Sequence, residues 1–340
     1  MAEHQVASVT DIATADFALR AGQLVAFPTE TVYGLGADAR DPRALQQVFM
    51  LKGRPSDHPL ILHLLSAAEL PQWVAVVPKI AEILAAKFWP GPLTLVLHKA
   101  AHVSLVLTGG QNTIAVRVPS HPVARALLAR FGSGIAAPSA NRYGRVSPTC
   151  AAHVYEEFPS GLAVILEGGN CELGLESTIV DLTGELPRLL RPGAISHSEL
   201  EVLVGRVERP GGVHGLSTSA RLGGPYSFPR VPGSTAKHYA PQTPVFLLGA
   251  AQWPAQLATY SDDLSAVLSF ETLPTVLAEK QCFSWLEAPR NAVLYAQALY
   301  ANLRTLDKCG AARILVEQVP DTSEWDAVRD RLARAAGTFL

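Results

Sequence analysis

Five short segments punctuated by glycine and proline carry the side chains of this chain that could do chemistry. They are Phe27-Pro28-Thr29-Glu30-Thr31-Val32-Tyr33-Gly34-Leu35-Gly36, Lys52-Gly53-Arg54-Pro55, Pro59-Leu60-Ile61-Leu62-His63, Thr113-Ile114-Ala115-Val116-Arg117 and Pro138-Ser139-Ala140-Asn141. Each accompanies an apolar run that reads as a strand, and loops at strand ends are where open α/β proteins build sites. Two cations one residue apart, a third on a strand and a later Ser-x-Asn suit a polyanion such as a nucleoside triphosphate. The usual phosphate fingerprints are missing: the chain has no G-x-x-x-x-G-K-[ST] and no G-x-G-x-x-G. Ser139 stands in Ala-Pro-Ser-Ala-Asn, which is not a nucleophile elbow. What remains is a cationic, hydroxyl-lined cavity suited to nucleotidyl transfer, in which neutralising charge and positioning the phosphorus matter more than a covalent nucleophile.

Each candidate also has a plainer reading. Lys52 and Arg54 flank the expected end of a helix, where cations complement the dipole. His63 follows three apolar residues and reads equally as a core histidine. Arg117 lies on an apolar strand, where the structural alternative is a buried ion pair. Ser139 and Asn141 are common turn residues. Glu30 and Glu176 read as loop-capping carboxylates rather than general bases.

The elements that must hold these residues follow from periodicity. Residues 23–27 read as a buried strand stopped by Pro28, and Asp41-Pro42 opens a helix with an acidic N-cap and proline at its first position. That helix should end near Lys52 with Gly53 as a left-handed cap, so Lys52 and Arg54 stand at a helix exit. Further strands are expected at 60–65, 93–98, 113–118, 135–138, 163–167, 177–182 and 188–191, with helices near 79–88, 121–131 and 196–204. Several connections are too short for a crossover helix, so part of the sheet must be antiparallel. From about residue 207 to 243 proline and glycine dominate and periodicity fades, which reads as a linker. Beyond it, strands at 244–248, 266–270 and 312–316 and helices at 291–306 and 323–336 make a smaller α/β layer of domain size.

Composition bounds the class. At 340 residues, with 48% hydrophobic and 17% charged residues, the chain has apolar area for two domains. No stretch reaches the ~18 apolar residues of a membrane span, and the start of the chain has neither a basic nor an apolar signal segment. The expectation is a cytoplasmic protein with no membrane contact. Cysteines at 150, 171, 282 and 309 are too scattered for a metal or redox motif and read as free thiols, and no metal ligands are singled out. A net charge of −2 gives no global drive toward nucleic acid.

Together these segments resemble the threonylcarbamoyl-AMP synthases in their long two-domain form. The resemblance also covers Leu175-Glu176-Ser177-Thr178-Ile179-Val180-Asp181, Leu190-Arg191-Pro192-Gly193, and Pro232-Gly233 through His238-Tyr239-Ala240-Pro241. It implies an α/β fold: a YrdC-like twisted, largely mixed or antiparallel open sheet with helices over residues 1–206. A linker and candidate active-site lid would follow over 207–243, centred on 232–241, then a smaller Rossmann-like domain over 244–340. The activity implied is conversion of L-threonine, bicarbonate and ATP, with Mg2+, to L-threonylcarbamoyl-AMP, pyrophosphate and water. The product would pass to the tRNA threonylcarbamoyl-transfer proteins that modify the adenosine beside the anticodon, with a weak direct tRNA contact also expected.

Carried over by residue, Lys52 and Arg54 are the catalytic cations. ATP would be held by Lys52, Arg54, His58, Thr113, Ser139, Asn141, Ser147, Arg191 and Tyr239. Threonine would be held by Thr31, His63, Arg117, Ala137 and Ser177. His58 stands where the family often has asparagine, and Ser234-Thr235-Ala236-Lys237 is shorter than the usual linker core. Two other classes share the first domain: an RNA-binding module, against which the lack of a basic, aromatic-interleaved stretch argues, and a carbamoyl-transfer maturation factor, whose acylphosphatase-like and cysteine-rich zinc segments are missing here.

Overall fold

The computed structural model describes residues 11–209, 228–233, 238–249, 253, 257, 264–272 and 283–337. The chain divides into two compact units. The first takes in residues up to 143, 148–172 and 176–234; the second takes in 144–147, 173–175 and everything from 235.

The first unit is built on a nine-stranded mixed sheet. Its strands are β1 (Val25–Phe27), β2 (Gly34–Asp38), β3 (Ile61–His63), β4 (Leu93–His98), β5 (Thr113–Arg117), β6 (Ile135–Ala136), β7 (Val164–Ile165), β8 (Thr178–Asp181) and β9 (Arg188–Arg191), in the spatial order β7-β1-β2-β6-β3-β5-β4-β8-β9. The pairs β1/β2, β2/β6, β3/β6, β4/β5 and β8/β9 are antiparallel, and β1/β7, β3/β5 and β4/β8 are parallel. The expected mixed, largely antiparallel sheet is therefore observed.

Alternation along the central strands gives the sheet two different faces. Leu62, Leu95, Leu97, Ile114, Val116 and Val180 point into the main apolar core. Ile61, Val96, Ala115 and Ile179 form a separate small cluster on the other face, together with Val231. The same period of two puts His63, Thr94, Thr113, Arg117 and Ser177 on that second face.

The helix expected after Asp41 is α2 (Pro42–Lys52), which follows α1 (Ile12–Arg20). Asp41 accepts from the Arg43 N–H, Pro42 opens the first turn, and Gly53 at φ 63° donates to the Met50 and Phe49 carbonyls. Lys52 is thus the last helical residue, as expected from the cap residues.

One segment departs from the sequence reading. Residues 34–38 read as part of a polar loop, yet they form β2, paired antiparallel with β1 through Phe27↔Gly34 and Val25↔Gly36. Glycine lowers strand propensity, which hid the strand. Packing explains its presence: a Cβ at Gly36 would lie 2.9 Å from the Phe27 ring and 3.1 Å from Ile135.

The second unit holds an all-parallel sheet of β10 (Val245–Leu248), β11 (Ser265–Ser269), β12 (Phe283–Glu287) and β13 (Arg313–Glu317), ordered β10-β13-β11-β12. The helices Ala292–Asp307, capped by Asn291, and Asp326–Ala336 accompany it. Leu248, Trp253, Leu257, Val267 and Leu315 form one of its apolar clusters. The strand β12 was not anticipated, because its five residues carry little alternation. Among the described residues no helix is long and apolar enough to cross a membrane.

Candidate active site

The second face of the first sheet gathers most of the residues singled out in the sequence. His63 ends β3 and Arg117 ends β5, and the two are direct partners in the parallel register. Across the next pair Thr94 stands opposite Arg117. Ser177, just before β8, is brought to Thr94 with their hydroxyl oxygens 2.7 Å apart. At this end of the strands His63, Thr31, Arg117, Thr94 and Ser177 are all buried.

Arg117 is held on several sides. Its Nη2 donates to Glu30 Oε1 at 2.6 Å, its Nη1 to Thr31 Oγ1 at 2.8 Å and its Nε to the Gly91 carbonyl at 3.3 Å. The buried ion pair is thus present, with Glu30 as partner, and the second Glu30 oxygen accepts from Ser120 N–H at 3.1 Å. Burial alone would raise the Glu30 pKa, but the Arg117 guanidinium and these hydrogen bonds outweigh it, and the carboxyl titrates below its ordinary value. Among the described residues three of the five guanidinium N–H groups are used, which leaves two for a ligand.

His63 is driven down to about 3, first by burial and then by the Arg117 charge. Its Nδ1 lies 3.3 Å from the Ile61 carbonyl, which can only accept, so Nδ1 carries the proton. The imidazole is neutral at physiological pH. Arg117 and Glu30 balance one another, with a neutral histidine and hydroxyls around them.

The cationic residues lie elsewhere. Lys52 is buried, and its ammonium donates to the carbonyls of Ser139, at 2.5 Å, and Asn141. It therefore pins the Pro138–Asn141 turn from the helix exit, with one of its three N–H groups remaining. Burial, with Arg54 as a second cause, lowers its pKa well below the usual lysine value. Arg54 donates to the Pro59 carbonyl at 2.9 Å and to that of His58 at 3.5 Å, just ahead of β3, and lies 5.9 Å from the Tyr143 ring. His58 sits edge-on to Tyr143 at 5.5 Å, and burial and Arg54 lower its pKa. The Ala137 N–H donates to the Ile61 carbonyl, and Ser139 bridges Gly34. Thr113 begins β5, and four strand steps of ~3.3 Å separate it from Arg117 by ~13 Å. Thr31, His63, Arg117 and Ser177 thus cluster at one end of β3 and β5, Arg54, His58 and Thr113 lie at the other, and Ala137 stands beside Ile61 at the start of β3.

Arg191 is the exception among the nucleotide candidates. It pairs with Ile179 at the Arg117 end, and donates from Nε to the Ser177 carbonyl at 3.0 Å and from Nη2 to Ser177 Oγ at 3.1 Å. Its Nη1 donates to the Pro232 carbonyl at 3.0 Å.

That last contact belongs to a strap. Residues 228–233 run along the first unit, with the Arg188 guanidinium 4.3 Å from the Phe228 ring and Val231 in the apolar cluster on the site face. The Arg230 N–H donates to Gln111 Oε1 at 2.7 Å, and Gln111 Nε2 donates to the Arg230 carbonyl at 3.1 Å. Residues 210–227 and 234–237, including Lys237, lie outside the described residues, so the expected lid over 232–241 is described only at its ends. Ser147 and Tyr239 lie in the second unit. Ser147 is fully buried. Tyr239 has φ 58°, stacks on Tyr300 at 5.8 Å and faces the Arg331 guanidinium at 5.1 Å.

Residues the sequence reading passed over are Thr94, Gln111 and Val231. Thr94 had a signal: a hydroxyl interrupts the apolar run of β4. Gln111 and Val231 had none, because their roles depend on a chain segment more than a hundred residues away.

The comparisons with known proteins cover both units. A family model described as "Telomere recombination" matches residues 17–193, and one described as "Threonylcarbamoyl-AMP synthase, C-terminal domain" matches 195–337. The threonylcarbamoyl-AMP synthase of Pyrococcus abyssi is 38% identical over 94% of this chain and 92% of its own length, and that of Bacillus subtilis 37% over 96% and 93%. The crystal structure of P. abyssi Sua5 complexed with L-threonine superposes with a TM-score of 0.85 at 36% identity, covering 98% of this chain and 97% of that one.

Proposed function

The chain belongs to the threonylcarbamoyl-AMP synthase family in its two-domain form, and from that premise we propose that it makes L-threonylcarbamoyl-AMP from L-threonine, bicarbonate and ATP. The observation that carries the reading is the division of the site face: a hydroxyl-rich end at Thr31, His63, Arg117 and Ser177 around the Arg117–Glu30 ion pair, and an opposite end near Arg54, His58 and Thr113, with the Lys52-pinned turn bearing Ser139 and Asn141 alongside.

A threonine bound at this end keeps its amine free to react, because Arg117 already neutralises the Glu30 carboxylate that would otherwise hold an ammonium. The amine takes up CO2 from bicarbonate to form an N-carboxylate, and its lost proton joins the hydroxide left by bicarbonate to leave as water. One of its oxygens attacks the α-phosphorus in line, the bond to the β-phosphate bridging oxygen breaks, and pyrophosphate leaves. Lys52, Arg54 and Arg191 offset charge that builds on the phosphates. The Gly91 and Glu30 contacts hold Arg117 in orientation while its two remaining N–H groups meet the amino-acid carboxylate.

Among the described residues no group of three or more His, Cys, Asp or Glu could hold a metal ion. Mg2+ is proposed as the companion of the triphosphate, where it would offset negative charge. The strap at 228–233 covers part of the site face and limits water around a labile product. Delivery of that product to tRNA threonylcarbamoyl-transfer proteins, and any weak tRNA contact, belong to the same reading. The test is pyrophosphate release from ATP, which should require both threonine and bicarbonate, with the adenylate detected by mass spectrometry.

A further inference from the structure

We propose that Thr94 is a positioning residue that fixes the Ser177 hydroxyl as a hydrogen-bond donor, so that Ser177 reads an oxygen acceptor on the amino-acid substrate; this rests on the reading that the amino acid sits at Thr31, His63, Arg117 and Ser177.

The argument is a count of protons and lone pairs. Ser177 Oγ has one proton and two lone pairs. Arg191 Nη2 lies 3.1 Å away, and a guanidinium can only donate, so one lone pair is taken. Thr94 Oγ1 lies 2.7 Å away, and that contact runs in one of two directions. Thr94 is fully buried on β4, and among the described residues its hydroxyl makes this single hydrogen bond. If Ser177 donated to Thr94, the Thr94 proton would be left without an acceptor in a dry interior, which costs far more than an unused lone pair. Thr94 therefore donates. Both Ser177 lone pairs are then filled, and its own proton is the one group it has left to offer.

A forced donor has consequences for recognition. It favours a carboxylate or carbamate oxygen and disfavours an ammonium, which has nothing to accept with. The Arg191 guanidinium also donates from Nε to the Ser177 carbonyl at 3.0 Å, so the serine is held against it at both its backbone and its hydroxyl. Thr94 thus acts on the substrate through Ser177, without a substrate contact of its own being required.

The experiment measures threonine and ATP affinity by calorimetry, with KM and kcat from pyrophosphate release, in Thr94→Val, Thr94→Ser, Ser177→Ala and the Thr94→Val/Ser177→Ala double variant. Valine keeps the shape and removes the donor. We expect Thr94→Val to weaken threonine about five- to tenfold, the size of one hydrogen bond, and to raise its KM with kcat changed less than twofold and ATP affinity unchanged. Thr94→Ser should restore the wild-type values. In the Ser177→Ala background, Thr94→Val should have no further effect on threonine. Threonine affinity unchanged in Thr94→Val, equal losses for both ligands, or additive losses in the double variant would each overturn the inference. Failure of the wild-type protein to bind threonine would instead overturn the reading of the pocket on which it rests. Thermal midpoints of all four variants check folding, and if Thr94→Val is unfolded, wild-type-like threonine affinity in Thr94→Ala would overturn the proposal while loss of it with retained ATP affinity would support it.

Discussion

At the scale of single residues the decisive feature is that the charged groups on the site face already have protein partners. Arg117 was read from sequence both as a residue holding threonine and as half of a buried ion pair, and the ion pair with Glu30 at 2.6 Å is what the fold contains. The two roles separate by experiment. Arg117→Gln leaves a buried carboxylate without its counter-charge and should cost about 3–5 kcal/mol of unfolding free energy in urea. The double variant Glu30→Gln/Arg117→Gln removes both charges and should recover most of that loss. Threonine binding should not recover with it. A double variant that binds threonine like the wild type would leave Arg117 with the structural role alone.

At the scale of elements, what the sequence made legible was whatever local chemistry specifies. The helix Pro42–Lys52 was readable from Asp41, Pro42 and Gly53, because caps are local, and with it the position of Lys52. The apolar runs of β3, β4 and β5 were readable from their residue types. Strand β2 was not, because Gly34 and Gly36 are chosen by the Phe27 ring and Ala137 beside them, contacts that appear only once the sheet has formed. The site divides in the same way. The Ser-x-Asn turn and the strand-end cations stood out by type, whereas the use of Lys52 to pin the Ser139 and Asn141 carbonyls depends on a contact across 87 residues. The strap is the extreme case. Its hold on the first unit comes from Gln111, whose side-chain amide pairs with the Arg230 backbone like a neighbouring strand, and from Val231 in the apolar cluster. Removing that amide should cost roughly 1–2 kcal/mol of local docking, as two largely exposed hydrogen bonds do. Gln111→Ala should therefore speed tryptic cleavage after Arg230 several-fold while leaving the unfolding midpoint within a degree or two. Cleavage at the wild-type rate would mean that Val231 and Pro232 alone secure the strap.

At the scale of the whole molecule, buried titratable groups set how stability responds to acid. The folded protein does not protonate His63 until about pH 3, whereas the unfolded chain does so near 6.5, so between those values the unfolded state binds the extra proton and stability falls as pH falls. Glu30 acts in the same sense lower down: its folded pKa lies below the ordinary 4.5, so its contribution is present above that value and is lost as pH drops beneath it. Urea midpoints measured from pH 7 to pH 4 should decline, and His63→Gln should flatten the slope by up to one proton, about 1.4 kcal/mol per pH unit. An unchanged slope would mean that His63 charges freely in the folded state. The central claim is the reaction itself, and its most direct measurement is pyrophosphate release from ATP by the full chain, with threonine and bicarbonate omitted in turn and the product identified by mass. The account predicts turnover only when both are present, with a threonylcarbamoyl adenylate as product. Pyrophosphate release indifferent to threonine, or a requirement for carbamoyl phosphate in place of bicarbonate, would contradict it.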